Sequence, residues 1–153
     1  MTIQPAVLLL SGPNLNLLGT REPSVYGTGT LDDHVAAATA AAAAHGLALR
    51  HLQSNRESDL IDAIHSAAHP HHFLSVTKQG VAAIVINPGA FTHTSWAIHD
   101  ALAAYDGIVV ELHLSNPDSR EPWRRTSVVA PVATGTISGF GAHGYVLAID
   151  AVA

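Results

Sequence analysis

Cysteine is absent from the 153 residues. That excludes disulfides, thiolate nucleophiles and cysteine-held zinc together, and a cytoplasmic location is expected. Lysine is nearly absent too, Lys78 being the only one. The formal net charge is −5, the wrong sign for a protein that binds by neutralising phosphates, so no nucleic-acid partner is expected. The start, Met1 to Leu10, carries no positive charge ahead of its short apolar run, which passes directly into Ser11-Gly12-Pro13. It reads as a buried strand rather than a signal peptide or a membrane span, and no membrane partner is expected.

What is present fits one domain: hydrophobic residues make up 48% of the chain, enough for a sizeable core. The few basic residues are unevenly placed. Arg120, Arg124 and Arg125 cluster, while Arg21 stands alone in an early loop. Such a cluster builds a local anion site, or it is simply solvated surface.

Apolar runs at Ala6 to Leu10, Leu47 to Leu52, Val81 to Asn87, Ile108 to Leu114 and Thr134 to Gly139 read as short buried strands. Helix patterns fall between them at Asp32 to His45, Glu57 to Ala68, Ser95 to Ala104 and Ala142 to Val152. Alternation of this kind, with continuous apolarity in the strands, predicts an α/β fold. The expected form is a five-stranded parallel sheet, doubly wound in the flavodoxin-like manner with helices on both faces. Such sheets bind ligands outside the carboxyl ends of their strands. The polar segments Ser11 to Tyr26, Ser54 to Glu57, Asn87 to Ser95 and His113 to Arg125 all follow predicted strands, and all should gather there. Residues 69–80 are irregular and histidine-rich, and read as an exposed connection.

The first of these segments is long for a βα connection, and its glycines and prolines suit a lid over about residues 19–28. Its Arg21 and Tyr26, taken alone, are a surface cation and a half-buried aromatic. In the third, Asn87 can donate and accept while the following helix start offers free N–H groups; a simple turn and cap would look the same. The fourth is more telling. Period two puts Glu111 and His113 on one face of a strand, where a carboxylate fixes the tautomer of an imidazole and favours its charged form. Ionisable pairs at the end of a buried strand are rarely there for packing.

Taken together these segments resemble the type II 3-dehydroquinate dehydratases. The resemblance rests on Gly-Pro-Asn-Leu-Asn-Leu-Leu-Gly at 12–19, Arg-Glu-Pro at 21–23 with Tyr26-Gly27, and Gln53-Ser54-Asn55 with Glu57. It continues through Asn87-Pro88-Gly89-Ala90, Thr92-His93-Thr94-Ser95, Glu111-Leu112-His113 with Ser115-Asn116, Arg120-Glu121-Pro122, Arg124 and Ala133-Thr134-Gly135. Departures are minor: residues 69–80 look inserted, Leu114 stands where isoleucine is usual, and Trp123 replaces a common phenylalanine.

The resemblance implies dehydration of 3-dehydroquinate through an enolate, with no cofactor and no metal. Tyr26 would be the base. A free phenol ionises near pH 10, so making a phenolate at neutral pH costs roughly 4 kcal/mol, which Arg21 and Arg120 would offset. Asn14 would stabilise the enolate, and His113, held by Glu111, would protonate the departing hydroxyl. Ser115 and the N–H groups of Leu114 and Ser115 would take the substrate carboxylate, and Asn87, His93 and Arg124 would grip the rest. Asp100 would reach a neighbouring subunit's site in a homo-oligomer, a dodecamer built as a tetramer of trimers. With Lys78 far from these loops, a Schiff-base route is not expected.

Other readings compete less well. A flavodoxin-like flavin or phosphate module leaves Glu111, His113, Arg21 and Tyr26 without purpose, and an inactive relative would share every motif. The Gly139-Phe140-Gly141-Ala142-His143-Gly144 run matches a dinucleotide fingerprint, but no strand follows it, so close packing explains its glycines better. His69, His71 and His72 lack nearby carboxylates and read as solvated.

Overall fold

The computed structural model describes residues 4–68 and 81–153. The expected connection at 69–80, with Lys78 and the three histidines, lies outside the described residues.

Five strands form one parallel sheet in the order β2-β1-β3-β4-β5. They are β1 (Ala6–Ser11), β2 (Ala48–Gln53), β3 (Val81–Asn87), β4 (Ile108–His113) and β5 (Gly135–Ser138). Helices α2 (Leu31–Ala44) and α5 (His143–Val152) pack on one face. Helices α3 (Glu57–Ala68) and α4 (Trp96–Ala103) cover the other. Alternate residues of β1 serve the two layers, Val7 and Leu9 one way and Leu8 and Leu10 the other. This is the doubly wound flavodoxin-like arrangement.

Local chemistry sets the element ends. Thr30 and Asp33 form a reciprocal capping box at the start of α2. Gly46, at φ +72, closes the same helix, with Gly46 and Leu47 donating back to Ala43 and Ala42. Ser95 caps α4 by accepting from the Ile98 N–H.

Two expectations need adjustment. Strand β2 is half-buried along its whole length rather than enclosed, because it forms a sheet edge and carries Arg50 and His51. The fifth strand is one residue shorter at each end than its apolar run. Thr134 turns its hydroxyl to the Val109 N–H, and Gly139 leaves the sheet at φ +91.

The reversal of strand order lies between β1 and β3, where Ser11 and Asn87 stand side by side. The two outgoing loops meet at once, the Gly12 N–H donating to the Asn87 carbonyl at 2.8 Å. A crevice must open beyond this point.

Candidate active site

The crevice holds a cavity of about 220 Å³. Its lining includes Asn14, Arg21, Tyr26, Asn87, His93, His113, Leu114, Ser115, Arg120 and Arg124. Glu111 sits behind it and Asp100 lies elsewhere, exposed on α4. Of the four polar segments, the one after β2 braces rather than lines. Asn55 accepts from the Asn14 N–H at 3.0 Å, and Gln53 donates to the Gly12 carbonyl. Asn14 thereby holds a left-handed conformation, φ 67, which asparagine tolerates better than most residues.

The segment expected to act as a lid contains an element that its sequence pattern did not suggest, the short helix α1 (Pro23–Tyr26). Pro23 presets the first helical φ. Glu22 accepts from the N–H groups of Val25 and Tyr26, and Gly27 leaves at φ +83. Tyr26 thus ends a defined turn and is buried.

Both guanidiniums reach its ring. Arg21 lies 5.0 Å from the ring centroid and Arg120 5.2 Å. Their roles differ, because Arg120 Nη1 also donates to the Tyr26 hydroxyl at 2.8 Å and to Ser115 Oγ at 3.3 Å. Arg120 therefore connects the aromatic hydroxyl to Ser115 across the cavity wall.

His113 ends β4, with Nε2 3.6 Å from a Glu111 carboxylate oxygen. That is longer than a hydrogen bond, and it is an ion pair only when the imidazole carries its second proton. Burial pushes the Glu111 carboxyl up, but the His113 imidazole and the Ser127 and Thr92 hydroxyls outweigh it and hold the group below its ordinary range. Ser127 donates to the carboxylate while accepting from the N–H groups of Val129 and Ala130. Thr92 donates to it at 2.9 Å. These two hydroxyls escaped the sequence reading. They come from separate loops, and no spacing rule links either to Glu111.

His93 donates Nδ1–H to the Thr126 carbonyl at 2.7 Å, which fixes the ring and leaves Nε2 as its other nitrogen. Arg124 stacks on Trp123 and donates Nε–H to Glu121 at 2.6 Å. The dinucleotide-like glycines do structural work. Gly141 donates to the Leu114 carbonyl, and a side chain at Gly144 would meet Leu112 at 3.0 Å. Among the described residues no group of histidines and carboxylates is arranged to hold a metal ion, and no helix is long and apolar enough to cross a membrane.

A doubly wound sheet whose switch-point crevice combines an arginine-bound phenol, a carboxylate-backed histidine and hydroxyl and arginine anion donors is that of an acid–base enzyme acting on a small anion. Comparison with known proteins makes this specific. The family model for dehydroquinase class II matches residues 5–153. A 3-dehydroquinate dehydratase of Ruegeria pomeroyi is 51% identical, over 97% of this chain and 93% of the relative. The crystal structure of a type II dehydroquinase from Butyrivibrio crossotus superposes with a TM-score of 0.89 at 39% identity, covering 97% of both chains. One from Propionibacterium acnes gives 0.87 at 38% identity, covering 99% of this chain and 98% of the other. The chain belongs to the class II dehydroquinase family.

Proposed function

We propose that this enzyme converts 3-dehydroquinate to 3-dehydroshikimate and water, with Tyr26 as base and His113 as general acid. The observation that carries the assignment is the Tyr26 hydroxyl, bound by Arg120 and flanked by Arg21, in the cavity that His113 also lines.

The Tyr26 phenolate takes a proton from the carbon next to the substrate ketone, and the electron pair passes into an enolate that Asn14 stabilises. The enolate then reforms the ketone as the carbon–oxygen bond to the β-hydroxyl breaks. His113 supplies the proton that turns the departing hydroxyl into water, and Glu111 steadies its positive charge beforehand. Ser115 and the N–H groups of Leu114 and Ser115 hold the substrate carboxylate, while Asn87, His93 and Arg124 grip the remaining oxygens. No cofactor enters these steps.

Asp100 serves a neighbouring copy within a homo-oligomer, a tetramer of trimers. Its exposure on α4, beside the 63%-exposed Trp96, supports that placement. The enzyme acts in the cytoplasm.

Appearance of enone absorbance on mixing with 3-dehydroquinate tests the activity; no signal from the intact oligomer would sink it. Tyr26→Phe should abolish nearly all turnover while leaving binding measurable. Borohydride with substrate should leave the protein unmodified, whereas a reduced adduct on Lys78 would establish an imine route instead.

A further inference from the structure

His113 faces a carboxylate, and what fixes that carboxylate lies outside the substrate cavity. Glu111 is only 1% exposed. Thr92, on the turn Gly89–His93, donates to its Oε1 at 2.9 Å. Ser127 shares its proton between the two carboxylate oxygens and lies closer to Oε1. Oε2 is the oxygen toward His113, 3.6 Å from Nε2.

Ser127 can play only one part. A hydroxyl has one proton and two acceptor sites. The Val129 and Ala130 N–H groups, at 3.1 and 2.9 Å, fill both acceptor sites. Its proton is then committed to Glu111, and it can receive nothing from a protonated carboxyl. Thr92 Oγ1 lies 3.0 Å from Ser127 Oγ, finds no acceptor site open there, and turns its own proton to Oε1. Both hydroxyls thus hold Oε1 and leave Oε2 turned toward the imidazole. Joining the two loops does not need these hydroxyls. The Val128 N–H donates to the Thr92 carbonyl at 2.8 Å, and His93 Nδ1–H to the Thr126 carbonyl at 2.7 Å. We propose that Thr92 and Ser127 are positioning residues of the general acid, fixing Glu111 with Oε2 toward His113 so that the charged imidazole is held for proton delivery. The inference rests on the dehydratase reading, because proton delivery by His113 is a step of that reaction.

Steady-state rates of two substitutions at one position test it. Thr92→Val keeps the shape of the side chain and removes the hydroxyl. It should lower kcat about 3- to 10-fold, the range of one hydrogen bond, with KM within about twofold. Thr92→Ser keeps the hydroxyl, drops the methyl and should recover most of the rate. In a Glu111→Gln background the valine change should cost less than about twofold, since no carboxylate is left to aim. A rise in KM without a fall in kcat would mean that the hydroxyl merely supports the loops carrying His93 and Arg124, and it overturns the proposal. So does a serine variant as slow as the valine one, or an equal loss in both backgrounds. Should Thr92→Val not fold, Ser127→Ala takes its place: its loss in kcat must again vanish with Glu111→Gln, and persistence overturns the proposal. Wild-type enzyme without turnover would defeat the dehydratase reading before any variant is made, and this proposal with it. An active wild type whose kcat survives Thr92→Val unaltered sinks this proposal alone.

Discussion

Replacing Arg120 by methionine removes the Nη1–H that donates to the Tyr26 hydroxyl at 2.8 Å, together with one of two guanidiniums on its ring. Methionine keeps much of the stem's packing, so the change is chiefly electrical. A hydrogen bond to a charged group contributes about 1.5–3 kcal/mol, and about 1.36 kcal/mol is tenfold in rate. In the proposed cycle that bond strengthens as the phenol becomes a phenolate, so most of its worth falls on the barrier. The expected loss in kcat near neutral pH is about 10- to 150-fold. Arg21, still 5.0 Å from the ring centroid, keeps the loss from growing further. Because Arg120 also donates to Ser115 at 3.3 Å, a smaller rise in KM should accompany it. Arg120→Lys retains the charge without the planar fork and should recover part of the rate. Initial rates of enone formation across pH provide the assay. The deficit of the methionine variant should narrow as pH rises, because hydroxide then makes the phenolate unaided. A methionine variant within twofold of wild type, or a deficit that ignores pH, refutes the link between Arg120 and Tyr26.

Three further outcomes are expected. The Glu111 carboxyl lies below its ordinary value of 4.5 in the folded chain, so its stabilising contribution is full above that value and is lost as pH falls through the lower folded value. Glu111→Gln should flatten the acid limb of a denaturation-against-pH curve, and an unaltered limb would contradict the assignment. Burial, partly countered by Asp33, holds the His34 imidazole below its ordinary 6.5, so the folded state resists its protonation and stability falls as pH drops through 6.5. His34→Phe keeps an aromatic against Tyr145 and removes the unpartnered Nε2; the melting temperature should rise, more in mild acid than in mild alkali, and an equal gain at both would refute the cause. Gly12→Ala would place a methyl 2.4 Å from the Pro88 carbonyl oxygen, so the loops carrying Asn14 and Asn87 must part. That costs about 1–3 kcal/mol and raises KM; calorimetry and kinetics matching wild type would show that the contact yields freely.

Much of this was readable in the amino-acid order, and the physical reason is local. The run Val81 to Asn87 and the helix Glu57 to Ala68 occupy the residues their patterns predict, because apolar spacing decides strand and helix wherever tertiary context agrees. Glu111 and His113 shared a face by period alone. The bracing contacts were not readable. Ser127 meets Glu111 from sixteen residues away, His51 meets Ser11 from forty and Asn55 meets Asn14 from forty-one. Such pairs follow from the fold as a whole, and serines and asparagines in loops carry no mark of which distant partner they serve. The turn at Pro23–Tyr26 lay between these cases: Pro23 was a visible N1 signal, but four residues are too few for any periodicity to appear.

That turn also joins position to chemistry. Strands β1, β3 and β4 carry Asn14, Asn87 and His113 at or just beyond their ends, so the sheet itself holds those groups. Tyr26 instead arrives on a loop turn, and its hydroxyl meets the cavity wall through Arg120. In the proposed cycle the contact that seats this turn is therefore also the one that stabilises the base, because Arg120 meets Tyr26 through its hydroxyl. Position and proton transfer are then coupled, and on this proposal a variant that weakens the Arg120 contact should both loosen the turn and slow turnover.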